Sequence, residues 1–174
     1  RTPWSIGMLT LFPEMFPGPL GFSLAGRALD EKLWNLNIYD IRRFCEKSAE
    51  VDSSPFGGGN GMVMRADVID RVLSTVTQDP NYAQLPVVYM TPRGTPLTQE
   101  KVKIFSQGDG AIILCGRYEG VDERAVAEWG MEEISVGDYV LSGGEPAAIS
   151  FVDACVRLLP GVVGKEESLE DESF

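Results

Sequence analysis

The chain has 174 residues and no histidine. That absence removes Ser-His-Asp and Cys-His triads and every zinc site that needs imidazole. Cysteine is scarce as well. Cys45, Cys115 and Cys155 form an odd, widely spaced set, which fits reduced thiols in a cytoplasm better than a disulfide framework. Three scattered cysteines also rule out an all-Cys tetrahedral zinc site. Any proton transfer therefore falls to Asp, Glu, Lys, Tyr or Cys. No apolar run approaches membrane-spanning length and no signal peptide is visible, so nothing points to a membrane. Basic residues are few: 15 Lys and Arg stand against 26 Asp and Glu, for a net charge of −11. A nucleic-acid binder ordinarily shows a basic excess, so composition alone argues against that class. Part of the acid is local, because KEESLEDESF (165–174) holds five acidic residues and one Lys, but the rest of the chain is acidic too. An opening Arg1 in place of Met implies a native start elsewhere.

What is present is ordinary for a single globular domain: 44% hydrophobic and 24% charged residues. SIGMLTL (5–11) reads as a strand, followed by the turn FPEMFPGP. A helix is predicted over about 22–34, with Leu24, Ala28, Leu29 and Leu33 on one face. LNIYDI (36–41) is a short strand, and 42–61 a long irregular loop ending in PFGGGNGM. Helices are predicted over 66–76, over 98–107 behind an N-cap at Thr98, over 121–130 and over about 146–158. Strands are predicted over 85–91, 110–116 and about 132–136. Strands alternating with helices make an α/β domain with a mainly parallel sheet flanked by helices. VVYM and AIILC are continuous apolar runs, as befits strands covered on both faces. Ligands of such sheets bind beyond the carboxyl ends of the strands. That rule gathers TPRGTP, GRYEG and GDYVLSGGEP.

SVGDYVLSGGEPAA (135–148) starts with the β-favouring Val136, Tyr139, Val140 and Leu141, then breaks into Ser142-Gly143-Gly144 before an apolar helix. Gly-Gly is a plain turn, or backbone passing close to a ligand. PFGGGNGM (55–62) is no dinucleotide fingerprint, because Met62 stands where the third glycine is needed. GVVGK (161–165) is no Walker A motif. The glycines of 57–61 make either a surface loop or a place where a flat ligand or phosphate meets backbone N–H groups. CGRYEGVDERAV (115–126) gives a βα turn with an N-cap at Asp122. That turn alone leaves Arg-Tyr-Glu between glycines unexplained, and a carboxylate there could bind hydroxyls. The acidic tail reads by pattern as a solvated face.

Together SIGMLTLFPEMF (5–16), PFGGGNGMVM (55–64), VYMTPRG (88–94), ILCGRYEGVDER (113–124), SVGDYVLSGGEPA (135–147) and RLLPGVVG (157–164) resemble one family. It is the bacterial tRNA (guanine-37-N1)-methyltransferase of the trefoil-knotted SPOUT superfamily. The stretches run in family order over essentially the whole chain. The resemblance implies a deep C-terminal trefoil knot, a rare exception to unknotted topology. It implies S-adenosylmethionine as methyl donor, leaving S-adenosylhomocysteine. The donor would be wrapped by Tyr89, Met90, Thr91 and Pro92, by Gly116 to Glu119, and by Val136, Gly137, Asp138, Tyr139, Val140, Leu141, Gly143 and Gly144. Glycine backbone would read adenine edges, and Tyr89 and Leu141 would sandwich the ring.

Methyl transfer to guanine N1 needs a base for the N1 proton, a cation or donor at the 6-oxo group, and a sulfonium in line. The family's electrophilic Arg matches Arg157, which otherwise reads as a helix C-terminal charge favoured by the macrodipole. The family tail usually ends Glu-Asp-Ser-Phe with Asp as the base; here it ends Asp171-Glu172-Ser173-Phe174. Register from Ser173-Phe174 favours Glu172, and residue type favours Asp171. Phe56, Asn60 and Ser53 also depart from the usual Tyr, Pro or Ala, and Asp. Gly61 and Arg27 are the substrate-side candidates, with Arg42, Arg43 and Lys47 as further cations that otherwise read as surface charge. Residues 1–160 match the catalytic domain and 161–174 a linker, while the family's C-terminal helical tRNA-binding domain lies beyond this chain. The resemblance further implies an obligate homodimer with sites between subunits, in the cytoplasm. It also implies magnesium, for which no ligand cluster stands out. Two rivals remain: a knotted methyltransferase for another RNA position, and a non-catalytic RNA-binding or dimerisation module.

Overall fold

A computed structural model of the chain describes residues 2–45, 52–53, 63–117 and 120–164. Seven strands occur there: β1 Trp4–Thr10, β2 Trp34–Asp40, β3 Asp52–Ser53, β4 Val63–Met64, β5 Val87–Pro96, β6 Gly110–Cys115 and β7 Glu132–Ser135. Five helices join them: α1 Ser23–Asp30, α2 Ala66–Val76, α3 Gln99–Gln107, α4 Glu123–Glu128 and α5 Glu145–Val156. Five strands form one sheet in the order β2-β1-β6-β5-β7, and every neighbouring pair is parallel. β3 and β4 make a separate antiparallel pair.

The two-residue period of the strands divides the core into two layers. Ile6, Met8, Ala111, Ile113, Val88 and Met90 face α1, α3 and α5, where Phe105 and Phe151 meet edge to face at 5.0 Å. Leu9, Ile112, Leu114, Val87 and Tyr89 face α2 and α4. Every residue of β1 and β6 is buried. That is the physical reason β6 is an unbroken apolar run rather than an alternating one, while β1 buries Ser5 and Thr10 among its apolar residues. Buried indoles still meet their hydrogen-bond demand: Trp34 Nε1 donates to the Ala25 carbonyl at 2.9 Å, and Trp4 Nε1 to the Phe105 carbonyl at 3.0 Å. Cys115 and Cys155 are buried thiols. No helix among the described residues is long and apolar enough to cross a membrane.

The structure departs from the sequence reading in four places. The first helix stops at Asp30, ahead of the predicted 34, where Lys32 turns to a φ of 60°. Its buried face is Ala25, Gly26 and Ala28, leaving Leu24 exposed. The stretch read as a long irregular loop carries a 3-10 turn, Ile41–Phe44, and the strand β3. β5 runs on past residue 91 to Pro96. The β-favouring residues of 136–141 form no strand, because β7 is the sheet's edge and the chain leaves it after Ser135. Ser135 Oγ turns the chain there, accepting from Gly137 N at 3.2 Å and donating to Gly137 O at 2.9 Å.

Candidate active site

The carboxyl ends of β5, β6 and β7 meet around a cavity of about 430 Å³. β5 makes its wall by a bulge. Met90 and Thr95 both pair with Ile134, so Thr91-Pro92-Arg93-Gly94 leave the ladder between them. Gly94 presses on the next strand so closely that a Cβ would lie 2.4 Å from Ile134 N. The second wall follows β6. The third is the segment after β7, which folds back so that Gly143 bridges Arg117 antiparallel and Gly144 N donates to Gly116 O at 2.9 Å.

The cavity is amphiphilic. Tyr139, Val140 and Leu141 expose apolar surface in its lining, and Arg93 and Arg117 bring cations to it. Tyr89 forms a wall rather than a free face. It is buried, with a Cβ at Gly116 meeting its ring at 2.8 Å and one at Gly120 meeting its hydroxyl at 3.1 Å. Burial pushes its phenol up, partly offset by hydrogen bonds with Thr91 and Val121.

Arg117 is the electrostatic centre. Its Nε and Nη2 donate to Glu145 Oε1 at 2.7 and 2.6 Å, and its guanidinium lies 4.2 Å from the Phe12 ring centroid. Arg42 approaches the same ring at 6.0 Å. Both are cation–π separations. Glu145 is fully buried. Desolvation raises its carboxyl above the usual range while Arg117 draws it back. The neighbouring Cys115 thiol is pushed well up by burial and by Glu145, so it stays protonated and is no nucleophile.

A family model described as tRNA (guanine-1)-methyltransferase TrmD matches residues 4–174. The chain belongs to that family. A TrmD-family relative from Nitrobacter winogradskyi, named tRNA (guanine-N(1)-)-methyltransferase, is 56% identical over 98% of this chain and 71% of its own length. One of the same name from Zymomonas mobilis is 56% identical over 99% of this chain and 69% of its own. One from Brucella ovis is 59% identical over 96% and 68%.

Set against this TrmD-family membership, the expected donor residues fall largely together. Tyr89, Met90, Thr91, Pro92, Gly116, Val136, Gly137, Tyr139, Val140, Leu141, Gly143 and Gly144 all line the cavity. Asp138 does not line it and is exposed. Arg27 sits on α1 away from the cavity, donating to the Val162 carbonyl and facing Glu31 at 3.9 Å. Arg157 is the C-cap of α5. Ala147 near the start of that helix lines the cavity, and the helix's 12 residues span about 18 Å at ~1.5 Å each. Within one chain, Arg157 therefore stands at the far end. Gly61, Glu119, Asp171, Glu172 and Lys47 lie outside the described residues. Sequence reasoning missed Arg93 and Glu145, and it placed Arg117 within the donor stretch Gly116 to Glu119 without giving it a role of its own. The signal for Arg117 was the unexplained Arg between glycines in GRYEG.

Proposed function

We propose that this chain transfers the methyl group of S-adenosylmethionine to N1 of guanosine-37 in tRNA, leaving S-adenosylhomocysteine. It does so as a cytoplasmic homodimer. The observation that carries the reading is the three-loop cavity at the carboxyl ends of β5, β6 and β7, in a chain whose relatives bear the name tRNA (guanine-N(1)-)-methyltransferase. The return of 137–144 across Gly116-Arg117 supports a trefoil knot at this place.

The lining suits the donor. Gly116, Gly143 and Gly144 bring backbone to the cavity surface; Gly144 N–H and Gly116 C=O bond each other, which leaves the Gly143 backbone as the group placed to read a purine edge. The apolar side chains of Leu141 and Tyr139 offer a face for its ring. When bound, S-adenosylmethionine supplies a methyl group already activated by a sulfonium. What remains for the protein is to orient it toward N1, take the N1 proton and meet the charge growing on the 6-oxo group. Glu172 takes the proton, with Asp171 as the alternative by residue type, and Arg157 meets the oxygen. Arg157's distance from the cavity within one chain is the argument for a dimer, in which a partner subunit's cavity is the one it serves. Among the described residues no ligand set for magnesium assembles, and no step is assigned to it.

Calorimetric titration with S-adenosylmethionine and S-adenosylhomocysteine tests the donor site. Saturable binding is expected, and its absence in folded protein would favour a non-catalytic RNA-binding module. Methyl incorporation into a tRNA transcript, compared with one carrying A37, tests the target. Equal incorporation into both would move the activity to another RNA position.

A further inference from the structure

Glu145 takes no part in the chemistry assigned above, yet it is wholly buried. It opens α5 directly after Gly143-Gly144. A carboxylate in a helix's first turn is favoured by the macrodipole while still in water, so its position has a plain explanation and its burial does not. Burial is costly here, because Oε2 has no hydrogen-bond partner at all. The largest compensation comes through Oε1, from Arg117, with smaller help from the Glu145 backbone N–H and the Cys115 thiol.

What the arrangement achieves is visible at Arg117. The guanidinium reaches from the loop after β6 to the loop after β7, with Nη1 3.4 Å from the Ser142 carbonyl and Nη2 3.7 Å from Met15 Sδ. It lies so tightly over Gly143 that a Cβ there would be 2.3 Å from Nε. Phe12 stacks on it, and only 19% of the side chain is exposed. Arg117 and Gly143 both line the cavity. One side chain thus ties two of the three cavity walls together, and one buried carboxylate fixes that side chain.

We propose that Glu145 is a positioning residue for methyl transfer: by fixing Arg117 across Gly143 it holds the loops after β6 and β7 in the arrangement that binds the methyl donor. This rests on the reading of the cavity as the donor site. Glu145 itself touches neither donor nor guanine.

The test is S-adenosylhomocysteine affinity by calorimetry in wild type, Glu145→Gln, Arg117→Met and the double variant, with circular dichroism confirming the fold of each. Glu145→Gln keeps the shape and removes the charge. We expect each single variant to weaken binding by about tenfold, within the coupling range of contacting residues. The double variant is expected to be no weaker than either single one, because both remove the same tie. In turnover on tRNA the loss appears in the donor KM more than in kcat. A pH series adds a second readout. Among the described residues the ionisable groups facing Glu145 are Arg117 and Cys115, and neither changes charge on acidification from neutrality. Protonating Glu145 releases Arg117, so wild-type affinity is full at neutral pH and falls as the carboxylate titrates, while Glu145→Gln and Arg117→Met stay flat. If wild type does not bind, the donor-site reading itself fails. If wild type binds and a folded Glu145→Gln binds equally with the same pH profile, or the two losses simply add, the positioning role is overturned and the donor site stands. Should Glu145→Gln not fold, an Arg117→Met profile that falls with acid as wild type does overturns it equally.

Discussion

Asp122 and Glu145 are carboxylates at the starts of two helices beside the cavity loops, and their surroundings move them in opposite directions. Asp122 caps α4, accepting from Arg124 N at 2.9 Å and from the Arg124 guanidinium at 2.7 and 3.0 Å. The Arg124 hydrogen bonds hold its carboxyl below the usual range against a smaller opposing effect of burial. A depressed folded pKa adds stability that is present above the unfolded value and lost as pH falls through the folded one. Asp122→Ala should therefore cost about 1 kcal/mol near neutral pH, the usual worth of an N-cap. Urea unfolding of wild type and variant should show the gap closing as pH falls below the ordinary Asp value of 3.8. A gap unchanged by acid would mean that the cap works through shape rather than charge. The tail carries the residue-scale prediction for chemistry. Glu172→Gln should lower the methylation rate by about 10²–10⁴, the usual weight of a positioned base, in a single-turnover assay on tRNA. Wild-type turnover there, with loss in Asp171→Asn, would assign the proton to Asp171.

Among the elements, those that bury both faces were the most readable from sequence. β6 and the start of β5 announce themselves as AIILC and VVYM because no solvent-facing position interrupts them. α2 has the predicted bounds, since its Val68, Ile69, Val72, Leu73 and Val76 repeat at helical spacing. What escaped depends on neighbours distant in the chain. Leu24 has the right spacing for a core position but faces outward, because Ala25, Gly26 and Ala28 allow closer packing on that side. A Cβ on Gly26 would lie 2.3 Å from the Gly21 backbone. Glu145 sits before the predicted start of its helix and stands out in no local pattern until Arg117, 28 residues earlier, is placed over it. The β5 bulge escaped for the same reason, as it exists only in register with Ile134 of β7. Its test follows from Gly94. The backbone atoms 2.4–2.6 Å from an added Cβ belong to Glu133 and Ile134 and cannot swing aside as a side-chain tip would. Gly94→Ala should separate β5 from β7, destabilising the fold by about 1–3 kcal/mol and weakening S-adenosylhomocysteine binding. A variant of unchanged melting temperature and affinity would show that the bulge yields freely.

For the whole molecule the puzzle is how so acidic a chain (net charge −11) handles RNA. Distribution answers part of it: Arg42 and Arg93 stand at the carboxyl end of the sheet, Arg93 lining the cavity and Arg42 facing Phe12, beside an Arg117 whose own charge is balanced by Glu145. Local potential, rather than net charge, is what a phosphate or an electron-rich base meets on approach. The remaining difficulty is distance, since Arg157 and the cavity occupy opposite ends of α5. Phe22 and Leu24 are exposed at the start of the neighbouring α1, apolar surface that the proposed second subunit would cover. If Arg157 acts across a homodimer, two defective chains should rescue each other. Arg157→Ala keeps a sound cavity and lacks the cation. A Gly143→Val chain keeps the cation and spoils the cavity, because its side chain would collide with Arg117. A heterodimer of the two contains one site assembled from both sound halves. Each variant alone should be nearly inactive in tRNA methylation, and an equal mixture, unfolded and refolded together, should regain about a quarter of wild-type activity, since half the dimers are mixed and each holds one of two sites. No recovery, with mixed dimers demonstrated by differently tagged chains, would mean that Arg157 serves its own subunit's site or none.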